Sequence, residues 1–267
     1  MQKIFDVHCH IYPEKIAQKA SDAIGDFYGV KMCFDGGLES LETELDKAGT
    51  TVAAVHSVAT SPRQVSSINR FIASSVSENP GRFIGMGTLH PLSEHIEDEV
   101  EEIISLGLAG IKIHPDFQKF ELDSKEAFNM FEIVGDRLPF LIHMGDKRYT
   151  FSAPSKLKTV MKRFPGLRVI GAHLGGWSIW DEAVKELWDV ENLTVDCSSS
   201  LFAMSEKRAT EIIKMYTADR VFYGTDYPMW DPAKEIERFN ALDLSDDERK
   251  KILWDNAERY FDLKAQA

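Results

Sequence analysis

The sequence predicts a (β/α)8 TIM barrel, in which eight parallel strands alternate with helices and close into a cylinder. Two observations indicate this fold: short apolar runs recur eight times along the chain, and segments with helical periodicity separate them. The length agrees, because 267 residues match the usual size of one such barrel. We therefore expect a single domain covering residues 1–267.

The predicted strands are short and dense in apolar residues, as strands covered by helices should be. They cover residues 4–10, 51–58, 83–89, 110–114, 140–145, 168–173, 193–198 and 221–226. Helices are predicted at 38–48, 65–78, 94–106, 125–137, 155–164, 180–188 and 205–216, with a pair covering 232–257. An open doubly wound sheet would also alternate, but it normally has a glycine-rich loop after its first strand. No glycine follows that strand here before Gly25, so the closed barrel is favoured.

Two segments depart from the regular alternation. Residues 11–37 are longer than an ordinary strand-to-helix connection, and they predict an inserted helix at 14–26 over the active-site face. C-terminal helices are expected at about 245–262. We expect the aromatic residues of the C-terminal part to be exposed, where they could cover the barrel or mediate a homodimer: Trp230, Trp254 and Tyr260.

The composition excludes some classes of partner. Asp and Glu number 43 against 31 Lys and Arg, giving a net charge of -12, which argues against nucleic acid because phosphate binding needs a basic face. No run approaches the roughly 20 apolar residues that cross a bilayer, so no membrane association is expected. The 3 cysteines are few and odd in number, which favours a reducing cytoplasm over a disulfide framework. A small-molecule substrate is the expected partner.

A paired histidine motif ends the first predicted strand. Side chains alternate along a strand, so Asp6, His8 and His10 should share one face and Cys9 the other. Two imidazoles in this register can bind one ion at about 2.0–2.1 Å. We expect Asp6, deeper on that face, to orient an imidazole.

Other polar residues also end predicted strands. His143 closes FLIH in the fifth run, and His173 and Asp226 close the sixth and eighth runs; barrel active sites are assembled at this rim. A transition-metal site needs three or four N or O donors and an open position. The set of His8, His10, His143 and Asp226 meets that need, so the sequence predicts one divalent ion, and Zn²⁺ is the ion expected.

The fourth strand carries Lys112 and, nearer the rim, His114. His114 is a candidate substrate-binding residue, whereas Lys112 as a carboxylated ligand of a second ion is disfavoured because it lies too deep. Arg63, Arg148 and Trp177, in loops after strands, are weaker candidates for substrate binding. Three further histidines are expected to be structural: His56, His90 and His95. Asp196 and Ser198 share a face at the end of the seventh strand and could support the site.

The motifs together resemble the amidohydrolase superfamily, and most closely its amidohydrolase-2 branch of decarboxylases and hydrolases. The resemblance is carried by FDVHCHIYP, GIKIHP, LIHMGD, GAHLGG and GTDYP, which are spread over nearly the whole chain. It implies that His8, His10, His143 and Asp226 bind the metal, and that His173 acts beside it as an acid, a base or a polarising group. His173 and Asp226 are then the catalytic residues.

Two reactions fit this ligand set. The first expectation is a hydrolase that cuts an amide, ester or lactone bond with a metal-activated water, with the second oxygen of Asp226 as its proton acceptor. The alternative is a non-oxidative decarboxylase on the same scaffold. A phosphodiesterase or deoxyribonuclease is disfavoured by the acidic charge and by the absence of a rim glutamate on the third and fourth strands, and a ligand-binding barrel without catalysis by the intact ligand set.

Overall fold

Short parallel strands form a closed barrel in the computed structural model, which describes residues 2–263. In chain order they are β1 Phe5–His10, β2 Val52–His56, β3 Phe83–Gly85, β4 Gly87–Thr88, β5 Ile111–Ile113, β6 Phe140–Ile142, β7 Val169–Gly171, β8 Leu193–Asp196 and β9 Val221–Phe222. They pair in the order β1-β2-β3 and β4-β5-β6-β7-β8-β9, every pair parallel.

The two sheets are parts of one cylinder. β3 and β4 are the halves of one barrel strand interrupted at Met86, whose N–H donates to the carbonyl of Val55 at 2.9 Å. The other edge closes where Val7 N donates to Tyr223 O at 3.0 Å and His10 N to Tyr227 O at 2.7 Å. Eight positions around the barrel result, and the predicted (β/α)8 fold is confirmed.

The helices cover the outside of the barrel. They are α1 Ala17–Tyr28, α2 Leu38–Ala48, α3 Val65–Glu78, α4 Ile96–Ser105, α5 Pro115–Gln118, α6 Lys125–Val134, α7 Pro154–Arg163, α8 Trp180–Leu187, α9 Glu206–Tyr216, α10 Pro232–Asn240, α11 Asp246–Lys250 and α12 Asn256–Tyr260. In α9, for example, Ala209, Ile212 and Ile213 form the buried stripe of an amphipathic helix. None of the helices within residues 2–263 has the length and apolar character needed to span a bilayer.

A separate apolar cluster fills the lower barrel interior and is covered by the C-terminal segment. Phe5 stacks on Phe261 with ring centroids 5.6 Å apart, and Ala257 joins the same cluster. Trp254 and Tyr260 pack against it, so the expectation that they are exposed is wrong. The reason is that the barrel floor is apolar and is sealed by the nearest aromatic side chains. Because this apolar cluster occupies the floor, the polar interior is confined to the opposite, C-terminal end of the strands.

β1 contains a bulge that the period-2 pattern could not predict. Its register against β2 shifts between Asp6 and Cys9, where the segment from Asp6 to Cys9 is one residue longer than the β2 segment it faces. Phe5 and Val7 consequently belong to the interior cluster, Cys9 lies in the outer core, and the ring of His8 still faces the interior. The prediction that Asp6 shares the face of His8 and orients an imidazole is therefore wrong. Its carboxylate instead accepts from His8 N and Thr225 N at 3.0 Å, and from Thr225 Oγ1 at 2.5 Å.

Candidate active site

His8 is the centre of the polar cluster at the upper end of the barrel. It is fully buried, and its Nδ1 lies 2.9 Å from Oδ2 of Asp196 on β8. A proton on Nδ1 is therefore donated to the carboxylate, which fixes the ring and leaves the Nε2 lone pair facing the barrel axis. Burial, together with the charge of nearby Lys112, lowers the pKa of His8 to about 4, so the ring is neutral near pH 7.

Asp226 approaches both histidines of the first motif. Its Oδ1 lies 3.3 Å from His8 Nε2 and 3.5 Å from His10 Nε2. The residue has φ 63°, an unusual conformation for a non-glycine residue, and its N–H donates to the carbonyl of His8 at 2.9 Å. Such backbone costs on the order of 1–3 kcal/mol and persists where the surrounding structure holds it. The turn thus holds the carboxylate against β1.

The second oxygen of Asp226 is held by a chain of hydrogen bonds. Ser199 Oγ donates to Oδ2 at 2.5 Å, and Trp230 Nε1 donates to Ser199 Oγ at 2.7 Å. Trp230 also packs against Phe202, with ring centroids 4.2 Å apart, and is partly buried, which corrects the expectation that it is exposed. Its indole N–H points into the site, because it donates the hydrogen bond that Ser199 Oγ accepts.

These donors fit a divalent ion. Neighbouring donors around an ion at about 2.1 Å are separated by about 3.0–3.4 Å, close to the 3.3 and 3.5 Å between Asp226 and the two histidines. Both imidazoles have pKa values lowered by burial, so each offers a neutral lone pair. His8, His173 and Asp226 form a further group whose ligand atoms lie within 4.8 Å of one another.

Lys112 competes for the same lone pair. Its Nζ lies 3.1 Å from His8 Nε2, and burial lowers the pKa of this fully buried amine to about 8. A protonated Lys112 and a metal ion cannot both occupy the region facing Nε2. Ion binding therefore requires Lys112 to deprotonate or to move its ammonium group away.

The structure does not bring His143, the predicted fourth ligand, into this donor group. Its Nδ1 lies 3.0 Å from His173 Nε2, and its Nε2 faces Gly145 O at 3.1 Å and Tyr28 Oη at 3.4 Å. His114 stacks on it with ring centroids 3.7 Å apart. The predicted four-ligand set is thus divided, because His143 lies against His173 and against Tyr28 of α1. A second group that could hold an ion lies here, made of His114, Asp116 and His143.

The inserted helix α1 closes the cavity above these groups. Tyr28 Oη lies 2.8 Å from His114 Nε2, and Ile24 of the same helix lines the cavity. The remaining volume is about 20 Å³, enough for about one water. Pockets for small molecules usually measure about 300–1,000 Å³. α1 must therefore move before a substrate can enter.

The four candidate substrate-binding residues have different positions. His114 lines the cavity, whereas Trp177 packs on Tyr28 at 4.9 Å. Arg148 is paired with Asp146, Nη2 to Oδ2 at 2.7 Å, and donates to the carbonyl of Phe27 at 2.6 Å. Arg63 is exposed in the turn before α3. Arg148 thus fastens α1 to the loop after β6, where its charge is already balanced, and Trp177 packs the same helix against the loop after β7.

A family model described as amidohydrolase matches residues 5–263. The chain belongs to the amidohydrolase family of enzymes. The resemblance seen in the sequence motifs is thereby confirmed.

A curated relative and several solved structures are similar to this amidohydrolase. The 2-amino-3-carboxymuconate-6-semialdehyde decarboxylase of Dictyostelium discoideum is 34% identical over an alignment of 134 residues, and the match covers 41% of this chain and 37% of the relative. The chain thus spans little more than a third of that relative's length in the match. An uncharacterised TIM-barrel protein from Bordetella bronchiseptica has a TM-score of 0.79 at 21% identity, covering 99% of both chains. Dihydroxybenzoic acid decarboxylase from Polaromonas, solved with manganese and 2-nitroresorcinol, has a TM-score of 0.76 at 17% identity over 99% of this chain and 98% of its own. At these low identities, the structural likeness shows a shared fold and nothing more.

Several residues of this amidohydrolase site were missed or undervalued in the sequence. Tyr28 and Trp230 had no motif, because only the folded chain brings α1 and the loop after β9 over the strand ends. Asp116, buried beside His143, follows GIKIHP directly but did not end a predicted strand. His56 was expected to be structural, yet its ring lies 4.4 Å from that of His10. Its place at the end of a strand was the one available signal.

Proposed function

We propose that the chain is a metal-dependent, non-oxidative decarboxylase that releases CO2 from a small carboxylic acid. The observation that carries the proposal is a donor set of His8, His10 and Asp226 beside a neutral pair of histidines, all lying under the helix α1 that closes the cavity. The relatives named above as decarboxylases support this reaction over hydrolysis, which the sequence placed first.

The hydrogen bonding of Asp226 also favours decarboxylation. A hydrolase would use the second carboxylate oxygen as the base that takes a proton from water. That oxygen already accepts from Ser199 at 2.5 Å, and Ser199 is itself held by Trp230. The site is better arranged to keep Asp226 fixed than to let it collect a proton.

The reaction balances with one proton and no oxidant. The bond between the carboxyl carbon and its neighbour breaks, CO2 leaves, and the electron pair stays on the substrate until a proton bonds to that carbon. When bound, a divalent ion would supply a positive charge that holds the substrate and stabilises the developing negative charge. We propose Zn²⁺ as that ion, because imidazole-rich sites suit zinc. The manganese of the Polaromonas enzyme belongs to that protein.

His143 and His173 can handle the proton. His173 Nδ1 faces Ser198 O at 3.1 Å, and His143 Nε2 faces Gly145 O at 3.1 Å, so a carbonyl stands at each end of the linked pair. Hydrogen bonds to both carbonyls and between the two rings would need three N–H protons. Two neutral rings carry only two. Burial lowers the pKa of both rings, which keeps the resting pair neutral with one contact unfilled. The pair can therefore accept one proton and pass it on.

The proposal is tested by metal analysis followed by a substrate screen. Protein purified without added metal should hold about one divalent ion per chain, and the loaded protein should release CO2 from at least one small carboxylic acid. The double variant His8→Ala with His10→Ala should lose both properties, whereas His95→Ala, at an exposed histidine, should keep them. Acid release from esters or lactones without CO2 release would instead show a hydrolase. A chain that cannot be loaded with Zn²⁺ would contradict the metal site itself.

A further inference from the structure

His56 is the remaining histidine of the buried cluster, and it lies directly beside the first motif. It ends β2, and its Cα is paired with that of His10 in the parallel register between β1 and β2. Its carbonyl accepts from Ile11 N at 3.0 Å, so the backbone at this position is fixed. The ring meets those of His10 and His8 edge-on, with centroids 4.4 and 5.1 Å apart.

Neither nitrogen of His56 has a hydrogen-bond partner among the described residues. The side chain is nevertheless completely buried, with a relative exposure of 0%. A buried imidazole without partners loses its hydrogen bonds to water and gains nothing in exchange. By contrast, His8 and His173 each have their Nδ1 hydrogen-bonded. His56 therefore has a free lone pair in the middle of a polar cluster.

One ligand atom from each of His8, His10 and His56 can be chosen so that all lie within 4.8 Å of one another. Three imidazoles at this spacing, with an open position for water or substrate, are a recurrent arrangement around zinc. We propose that His56 is a further ligand of the ion held by His8 and His10. An ion there occupies the lone pair that the protein leaves without a partner.

This ligand changes which ion the site prefers. An additional imidazole ligand favours Zn²⁺, Co²⁺ or Ni²⁺ over Mn²⁺ and Mg²⁺, which prefer carboxylate and water ligands. The inference rests on the metal site of the proposed function and is independent of the reaction catalysed there.

The test uses Co²⁺, whose visible absorption depends on the number and type of its ligands. The full chain is stripped with a chelator and titrated with Co²⁺ and Zn²⁺ against a competing chromophoric chelator. In His56→Ala the affinity for both ions should fall by roughly tenfold or more. The cobalt absorption bands should shift, and one hyperfine-shifted imidazole N–H signal should disappear from the proton NMR spectrum. His90→Ala is the matched control, because His90 is also buried after a barrel strand but belongs to none of the possible ligand groups found within residues 2–263.

A second variant guards against misfolding. His56→Gln keeps a polar side chain, and its metal-free fold is checked by circular dichroism and thermal unfolding beside His56→Ala. Whichever variant folds should show the altered cobalt spectrum. If its spectrum and affinity match those of the parent protein, His56 is not a ligand and the inference is overturned. If the parent protein binds no ion at all, the proposed function and this inference both fail. A parent protein that binds the ion, with an unchanged His56 variant, contradicts this inference alone, so the two failures are distinguishable.

Discussion

Asp196 and Glu235 are both buried carboxylates, yet their surroundings act on them in opposite directions. Burial alone would raise the pKa of Asp196. The nearby imidazole of His8 and the hydrogen bonds that His8 and Ser198 make to the carboxylate lower this pKa below its ordinary value. Glu235 on α10 has Arg238 as its ion-pair partner, and its Oε2 is buried without a hydrogen bond. There burial prevails and raises the pKa to about 7.

Replacing Asp196 should weaken the metal site through His8. In Asp196→Ala the ring of His8 loses the acceptor that orients it, so we expect the affinity for Zn²⁺ to fall about 10–100-fold. Thr194→Val on the same strand is the control, since Thr194 bonds the carbonyl of Val169 rather than a group of the site. Zn²⁺ titration of both variants checks the prediction, and equal affinities would contradict it.

Glu235→Gln should stabilise the protein at neutral and alkaline pH. The folded state holds the Glu235 proton up to about pH 7 instead of 4.5, so the parent protein loses stability as the pH rises through this range. The shift of about 2.5 units corresponds to at most about 3 kcal/mol above pH 7 and to nothing below about pH 4. Urea unfolding of both proteins between pH 4 and pH 9 measures the difference. Glu237→Gln, on the exposed side of α10, should show no such trend.

At the scale of secondary structure, α1 is the element whose motion the site requires. Arg148 holds its C-terminal end, since the guanidinium bonds Phe27 O and lies 4.7 Å from the Phe27 ring. In Arg148→Ala the amides of α1 should exchange with deuterium several-fold faster, while those of the barrel strands keep their protection. Lys147→Ala, at the neighbouring exposed residue, is the control. Unchanged exchange in α1 would show that Arg148 does not hold the helix.

The sequence predicted the barrel because its eight apolar runs and helical segments are local patterns. It could also place His8, His10 and His173 at strand ends, since the C-terminal rim follows from the chain direction. It could not predict the bulge in β1. The alternation of residue types looks the same with or without one extra residue, so the bulge leaves no signal and the faces are assigned wrongly. That error assigned Asp6 the role that Asp196 has. The contact of His143 with Tyr28 was also beyond it, because Tyr28 comes from another element, α1.

At the scale of the whole molecule, the two ends of the barrel interior differ in polarity: the floor is apolar and the C-terminal end of the strands is polar. Apolar side chains and the C-terminal segment seal the floor, and Phe261 is the main aromatic contribution of that segment. Phe261→Ala should therefore cost about 3–5 kcal/mol of unfolding free energy. Phe202→Ala, at a phenylalanine that is 39% exposed, should cost much less. Equal losses in denaturant unfolding would show that the floor does not depend on this seal.

The small cavity under α1 has a kinetic consequence. Because about 20 Å³ admits roughly one water, a ligand cannot bind in the closed arrangement and must wait for the helix to open. The observed association rate should then rise with ligand concentration only until it reaches the opening rate, where it becomes constant. A tight inhibitor would show slow onset and equally slow release. Its residence time would be governed by the opening of α1 rather than by its own contacts with the metal ligands.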